Sequence, residues 1–296
     1  MYRSHFGLRE PPFGITPDTS FAFCCTSHQE ALNTLLVAVG NGEGFIKITG
    51  EVGTGKTLLC RRFLSTLDER YVSAYIPNPY LDPRALMLAL GEELGLTLDA
   101  GTDQHHLLKQ LNLALLDFAR EGRRVVVCLD EAQAMPLETL EALRLLSNLE
   151  TEKRKLLQVI LFGQPELDHR LGQESVRQLR QRITFQYHLG VLSRDELAYY
   201  LGHRLRVAGY VGSNMFTPRA ARLLYRTTGG VPRLVNIVAH KCLMLVFGEG
   251  GHEVHVKHVR AAAKDTPAAQ ALARGWWWSL VPTVAAAAVG AWLLMR

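Results

Sequence analysis

An α/β fold with a five-stranded parallel sheet, followed by an all-helical domain, is predicted by three observations. Between residues 45 and 189, short apolar runs alternate with stretches of helical spacing. The run Val125-Val-Val-Cys-Leu129 is apolar at every position, the pattern of a strand buried on both faces. Beyond Ser193 the alternation stops and only helical periodicity remains.

Taken in order, residues 1–23 combine Pro11, Pro12 and Pro17 with Phe6, Phe13, Phe21 and Phe23, the composition of an ordered arm without regular structure. Ala31, Leu32, Leu35, Leu36 and Val39 mark a helix from about Ser27 to Val39, stopped by Gly-Asn-Gly-Glu-Gly. Phe45–Thr49 alternates as a strand, a glycine-rich turn spans Gly50–Thr57, and Leu58–Leu67 continues as a helix. Tyr71–Ile76 is the second strand, closed by Pro77 and Pro79. Pro83–Leu94 and Asp103–Arg120 read as amphipathic helices. The third strand, 125–129, leads to a helix over Pro136–Leu149, opened by proline at a first helical position. Leu156–Phe162 is the fourth strand, Ser175–Gln181 a short helix and Thr184–Leu189 the fifth strand. In the helical region, Ser193 and Glu196 have capping-box spacing for a helix to about Val207. Pro218 and Pro232 open two more, and a last helix covers about Val256–Lys264. The expected domains are thus a sheet core with its arm (1–190), a helical domain (191–264), a linker (265–275) and a terminal apolar segment (276–295).

A chain that is 48% hydrophobic and 21% charged has enough apolar surface for a core, which excludes a disordered protein. Five cysteines with no CxxC pair fit a reducing compartment better than a disulfide-stapled secreted protein. Arg3, His5, Arg9 and Glu10 interrupt the first apolar run, so no cleavable leader is expected. The net charge of +5 conceals an asymmetry, because residues 1–152 carry −7 and residues 153–264 carry +11. A basic half suits nucleic acid, anionic lipid, nucleotide phosphate or a merely solvated face, and charge alone does not choose among them.

Gly50-Glu-Val-Gly-Thr-Gly-Lys-Thr57 fits GxxxxGK[ST], with a strand before it and a helix after it. Gly53 and Gly55 let the backbone turn tightly around a phosphate chain. Its N–H groups and the helix N-terminus then attract the phosphates. The nucleotide-binding set is Gly50, Glu51, Val52, Gly53, Thr54, Gly55, Lys56, Thr57 and Leu58. In it Lys56 reaches the β- and γ-phosphates of ATP, and the Thr57 hydroxyl binds Mg²⁺. Asp130 and Glu131 end the buried third strand, at the sheet edge where ligands of open parallel sheets bind. Asp130 is expected to hold Mg²⁺ through its hydration shell. Glu131 is expected to orient and deprotonate a water aimed at the γ-phosphate.

Beyond these motifs the chain resembles the AAA+ ATPases. The order is phosphate loop on strand one, Asp-Glu on strand three, a polar residue after strand four, arginines before strand five, and a helical lid carrying Gly229-Gly-Val-Pro-Arg233. More narrowly, it is similar to the ATPases of type II secretion and MSHA-pilus biogenesis, the GspA/ExeA/MshM group. That likeness rests on Phe6-Gly-Leu-Arg-Glu-Pro-Pro-Phe13, Thr16-Pro-Asp18, His28-Gln-Glu-Ala31, Gly44-Phe45, Tyr75-Ile-Pro-Asn-Pro-Tyr80, Phe162-Gly-Gln-Pro-Glu-Leu167 and Gln178-Leu-Arg-Gln-Arg-Ile183. The resemblance, over about residues 1–265, makes Gln164 the sensor of the γ-phosphate and Arg233 the lid arginine on the nucleotide. Arg177, Arg180 and Arg182 then include the finger that reaches a neighbouring subunit, Arg182 being the first choice and Arg180 the second. It further implies a homo-oligomer that helps to assemble an envelope machine for pili or secretion.

The run Trp276–Met295 is twenty residues without a charge, and at ~1.5 Å per residue it spans ~30 Å, the thickness of the hydrocarbon layer. Trp276, Trp277, Trp278 and Trp292 lie near its ends, as interfacial anchors do. The expectation is a single-pass transmembrane helix in a bacterial inner membrane, with the ATPase domain in the cytoplasm. Two other readings stay open: a DNA-binding AAA+ protein using the basic half, and a nucleotide-gated scaffold with little turnover. Nucleic acid is the less expected partner, because an apolar segment stands where a DNA-reading module would follow. His252, His255 and His258 lack the clustered ligands of a metal site.

Overall fold

The computed structural model describes residues 2–98, 101–146 and 155–270. Two compact units divide the chain, one of Cys24–Gly190 and one joining the residues before Cys24 to those from Val191 onward. After a single helical turn at the N-terminus (α1, Tyr2–His5), the sheet unit runs α2 (Thr26–Gly40), β1 (Phe45–Gly50), α3 (Lys56–Thr66), β2 (Tyr71–Ile76), α4 (Pro83–Glu93), α5 (Gln104–Arg120) and β3 (Arg124–Leu129). It continues with α6 (Leu137–Leu146), β4 (Leu157–Gly163), α7 (Glu166–Leu171), α8 (Arg177–Arg182) and β5 (Ile183–Leu189).

All five strands are parallel, in the order β2-β3-β4-β1-β5. Consecutive strands run from β2 through β4, but β1 lies between β4 and β5, so the chain crosses over at β1. Such a crossover leaves a crevice at the carboxyl ends of the strands. The register brings those ends level, pairing Thr49 with Gly163 and Gly50 with Leu189.

Strand alternation sorts the core into two layers. Ile46 and Ile48 of β1 meet Leu35 of α2 and Phe63 of α3 on one face, with Cys128 and Phe162 from the neighbouring strands. Phe45 points the other way, into the layer of Met87 (α4), Leu107 and Leu111 (α5) and Leu140 (α6). Full burial of each such side chain contributes about 1.5–3 kcal/mol, so Phe63→Ala is expected to cost about 3–5 kcal/mol. Polar caps start the helices of the second layer. The Asp82 carboxylate accepts from the Ala85 N–H at 2.8 Å, and that of Asp103 from the His106 N–H at 3.0 Å.

The sequence does not predict α7, and the helix expected over Pro136–Leu149 is described over Leu137–Leu146. The short helix expected at Ser175–Gln181 is a 3₁₀ turn at Glu174–Val176 followed by α8.

The second unit contains α9 (Arg194–Val207), α10 (Pro218–Thr228), α11 (Pro232–Gly248) and α12 (Val256–Lys264). The capping box at its start is formed, since the Ser193 N–H donates to Glu196 at 2.8 Å and the Glu196 N–H donates to Ser193 at 3.2 Å. The arm groups with this unit, whereas the sequence places it with the sheet. Its irregular backbone needs partners and finds them here. The guanidinium of buried Arg204 donates to the carbonyls of Pro12 and Gly14, and Phe13 meets Phe216 edge-on at 5.9 Å. The beginning of the expected linker is packed as well. Lys241 gathers the Asp265 carboxylate at 2.8 Å and the Thr266 hydroxyl at 3.0 Å, and Ala269 is buried. Among the described residues no helix is long and apolar enough to cross a membrane. The expected transmembrane helix at Trp276–Met295 lies outside the described residues.

Candidate nucleotide-binding site

The loop between β1 and α3 is shaped by its glycines. A Cβ at Gly50 would stand 2.9 Å from the Leu189 carbonyl and 2.9 Å from the Thr54 hydroxyl, so this position has no room for a side chain. Gly53 and Gly55 take φ of +83° and +101°, a region that L side chains rarely adopt. Gly55 is the N-cap of α3, which turns the first N–H groups of that helix toward the loop. The ring of His28 packs on this turn, with Nε2 2.8 Å from where a Gly55 Cβ would stand, and its Nδ1 lies 2.7 Å from Cys25 Sγ. Val52 is exposed and Leu58, on the first turn of α3, is half-buried.

Lys56 is buried and folded back on its own loop, donating to the carbonyls of Gly50 at 2.7 Å and Glu51 at 3.1 Å. Burial pushes its pKa below the ordinary lysine value, while Glu131, Asp130, Glu51 and Glu166 oppose that shift. A phosphate chain entering the loop competes with the two carbonyls for this ammonium group.

Thr57 and Asp130 come together across 73 residues of sequence, and the Thr57 hydroxyl donates to Asp130 Oδ2 at 2.6 Å. The Tyr75 hydroxyl, at the end of β2, donates to the same oxygen at 3.3 Å. Burial raises the Asp130 pKa above the usual carboxylate value, and the Thr57 bond opposes this. A hydroxyl beside a buried carboxylate, neither matched to a cationic side chain by an ion pair among the described residues, is a hard oxygen set that fits Mg²⁺. This ion draws its remaining ligands from water and phosphate, so a cluster of three acidic or histidine side chains is not needed.

Glu131 has φ +53° and ψ +37°, the one left-handed residue other than glycine among the described residues. Such a conformation in a side-chain-bearing residue costs on the order of 1 kcal/mol or more and persists where its surroundings fix it. Here two amides fix the carboxylate. Oε2 of Glu131 accepts from Gln133 Nε2 at 2.6 Å and from Gln164 Nε2 at 3.1 Å. Gln133 Oε1 in turn accepts the backbone N–H of Gln164 at 2.9 Å, tying the turn after β3 to the end of β4. Gln164 is therefore in contact with Glu131. Gln133 and Tyr75 are contacts that the sequence reading does not supply. A second polar residue two places after Glu131 is the signal that points to Gln133.

The arginines differ in setting. Arg177 and Arg180 are exposed, and Arg180 borders a cavity of about 480 Å³ together with Lys47 and Asp168, which are ion-paired. Arg182 is half-buried and donates to the Arg144 carbonyl at 3.2 Å, within its own sheet unit. That bond works against Arg182 as the first-choice finger. Arg233 is exposed on the first turn of α11, in the helical unit.

A family model described as an AAA domain matches residues 39–171. General secretion pathway protein A of Aeromonas hydrophila is 43% identical over 265 residues, which is 90% of this chain. The chain spans about half, 48%, of the length of that relative. Among solved structures, the ORC2 protein of Aeropyrum pernix superposes with a TM-score of 0.62 at 17% identity, over 86% of this chain and 72% of that one. Cdc6p of Pyrobaculum aerophilum gives 0.63 at 17%, over 84% and 70%. A Walker-type ATPase of Pyrococcus abyssi gives 0.59 at 15%, over 92% and 80%. At these identities the structures share the fold alone. Residues 39–171 thus match the AAA domain family, and over most of its length the chain is similar to General secretion pathway protein A.

Proposed function

We propose that the protein binds ATP with Mg²⁺ on the β1–α3 loop and hydrolyses it, as an oligomeric ATPase serving a secretion or pilus assembly at the inner membrane. The observation that carries this reading is the meeting of Thr57, Asp130 and the amide-held Glu131 beside the Lys56 loop. The secretion context comes from the relative named above. The single-pass anchor comes from the uncharged run Trp276–Met295.

In this mechanism the loop N–H groups and Lys56 take the phosphates, with Lys56 leaving the carbonyls of Gly50 and Glu51. Thr57 and Asp130 would hold Mg²⁺, which supplies charge neutralisation at the β- and γ-phosphates. Glu131 orients a water for attack on the γ-phosphorus and accepts its proton. Gln164 has two amide hydrogens, so it can bond Glu131 with one and a γ-phosphate oxygen with the other. A single side chain thereby links the presence of the γ-phosphate to the orientation of the base. By the family resemblance, Arg233 is the lid arginine for the nucleotide. An arginine of a neighbouring subunit, Arg180 before Arg182, completes the site by stabilising transition-state charge.

Lys56→Ala tests the binding step. ATP affinity measured by calorimetry should fall below detection, because the loop loses its only lysine. Affinity equal to the wild type would refute the site.

A further inference from the structure

The helical unit carries a charge pattern most of which the nucleotide site does not use, Arg233 apart. From Leu197 to Gly248 there are seven Lys and Arg and no Asp or Glu in 52 residues. An ordinary solvated surface intersperses both signs. Helix α10 presents Arg219, Arg222 and Arg226, and α12 presents Lys257, Arg260 and Lys264, all exposed. Each set follows i, i+3, i+7, which is one side of a helix. The opposite sides bury Ala220, Leu224 and Thr228 in α10, and His258, Val259 and Ala262 in α12. The two helices pack against each other and against α11. Lys257 pairs with Glu249 at 2.5 Å, and among the described residues no ion pair is formed by the other five. The exposed sides of these two packed helices thus carry basic residues as their only charged ones, with exposed Glu249, Glu253 and Asp265 flanking α12.

We propose that the basic stripes of α10 and α12 are a docking face for anionic lipid headgroups, which holds the helical unit against the membrane. Lys264 stands twelve residues before Trp276, where the twenty uncharged residues begin. The eleven residues between them reach at most about 40 Å when fully extended. A chain anchored at Trp276 therefore keeps α12 within that distance of the bilayer surface. That tether lets the stripes come within a Debye length of the surface, about 8 Å at physiological salt, where a leaflet rich in anionic lipid attracts clustered Lys and Arg. The stripes lie on helix surfaces rather than around a cavity, which suits an extended anionic plane. The proposal rests on the membrane-anchor reading, so the test separates the two.

The full chain is mixed with vesicles of phosphatidylcholine alone, or with about a third phosphatidylglycerol added, at near-physiological salt. Flotation reads the anchor, and lysine acetylation quantified by mass spectrometry reads the face. The chain should float with both vesicles. Labelling of Lys257 and Lys264 should fall about threefold or more only on the anionic vesicles, with exposed Lys109 of the sheet unit unchanged. Roughly 0.5 M salt should restore it, because screening then acts within a few ångströms. If the anchor reading fails, the chain stays down with neutral vesicles but should still rise with anionic ones, salt-sensitively. Equal labelling on the two floated vesicles, or flotation with neither, overturns the docking face. The surface variant Arg219→Gln/Arg222→Gln/Arg226→Gln should lose the protection, and its retention would also overturn the proposal. So would protection by duplex DNA in place of anionic lipid, which would make the stripes a nucleic-acid contact.

Discussion

Gln133→Ala is the perturbation whose effect the geometry specifies most closely. It removes the 2.6 Å bond to the Glu131 carboxylate and the 2.9 Å bond to the Gln164 N–H, leaving the 3.1 Å bond from Gln164 to hold the base. A hydrogen bond to a charged group contributes about 1.5–3 kcal/mol and a neutral one about 0.5–1.5 kcal/mol. Because Glu131 and Gln133 are both half-buried, about 2 kcal/mol for the pair is a fair working value. With RT near 0.6 kcal/mol, that lowers the population of the held carboxylate by roughly 30-fold. The Gln133 amide bonds Glu131 and the Gln164 N–H rather than the phosphate loop, so nucleotide affinity should stay within about twofold of the wild type. Phosphate release at saturating ATP should therefore fall by about 10–30-fold with KM unchanged. Gln133→Glu keeps the acceptor for the Gln164 N–H but removes the donor, and adds a like charge beside Glu131. It should lose at least as much turnover as the alanine variant. Unchanged turnover in both variants would refute a positioning role, and increased turnover would show that the amides restrain Glu131 instead.

Two further predictions follow from the same geometry. Asp130 holds its proton more tightly when folded than when unfolded, so its contribution to stability is complete below the unfolded value of 3.8 and is lost as pH rises through the folded one. Nucleotide-free Asp130→Asn should therefore melt higher than the wild type at pH 7, by about 2–4 °C for each kcal/mol regained. The gain should vanish near pH 3.5; a melting point that drops, or a gain independent of pH, would contradict the burial argument. For the arginines, an Arg180→Ala protein and a Glu131→Gln protein should each be nearly inactive. Their mixture should recover activity, since a finger supplied in trans is worth on the order of 10³ or more in rate. No recovery, with Arg182→Ala rescued instead, would return the role to Arg182.

Much of this fold is legible in the sequence because its signals are local. The five strands announce themselves as apolar runs, and GxxxxGK[ST] fixes the loop glycines by backbone geometry alone. Asp130 and Glu131 are legible because the end of a continuous apolar strand can be read without knowing its neighbours. What escapes depends on contacts distant in the chain. The arm joins the helical unit through Arg204, 192 residues from Pro12, and no periodicity in residues 1–23 records that. Helix α7 has six residues between Pro165 and Gly172, too few for a helical repeat to emerge. The Gln133 amide matters because β4 brings Gln164 to it from 31 residues away. In sequence Arg182 ranks before Arg180, and the Arg144 carbonyl that it meets lies 38 residues away.

In the proposed mechanism Glu131 performs the chemistry of a site whose nucleotide is held by other residues. Glu131→Gln keeps the side-chain shape and removes the proton acceptor, so binding and turnover can be measured separately on one protein. ATP affinity by calorimetry should match the wild type, while phosphate release at saturating ATP falls by at least roughly 10²-fold, the scale of general base catalysis. Wild-type turnover in Glu131→Gln would contradict the account, since the water would then be positioned by a different group.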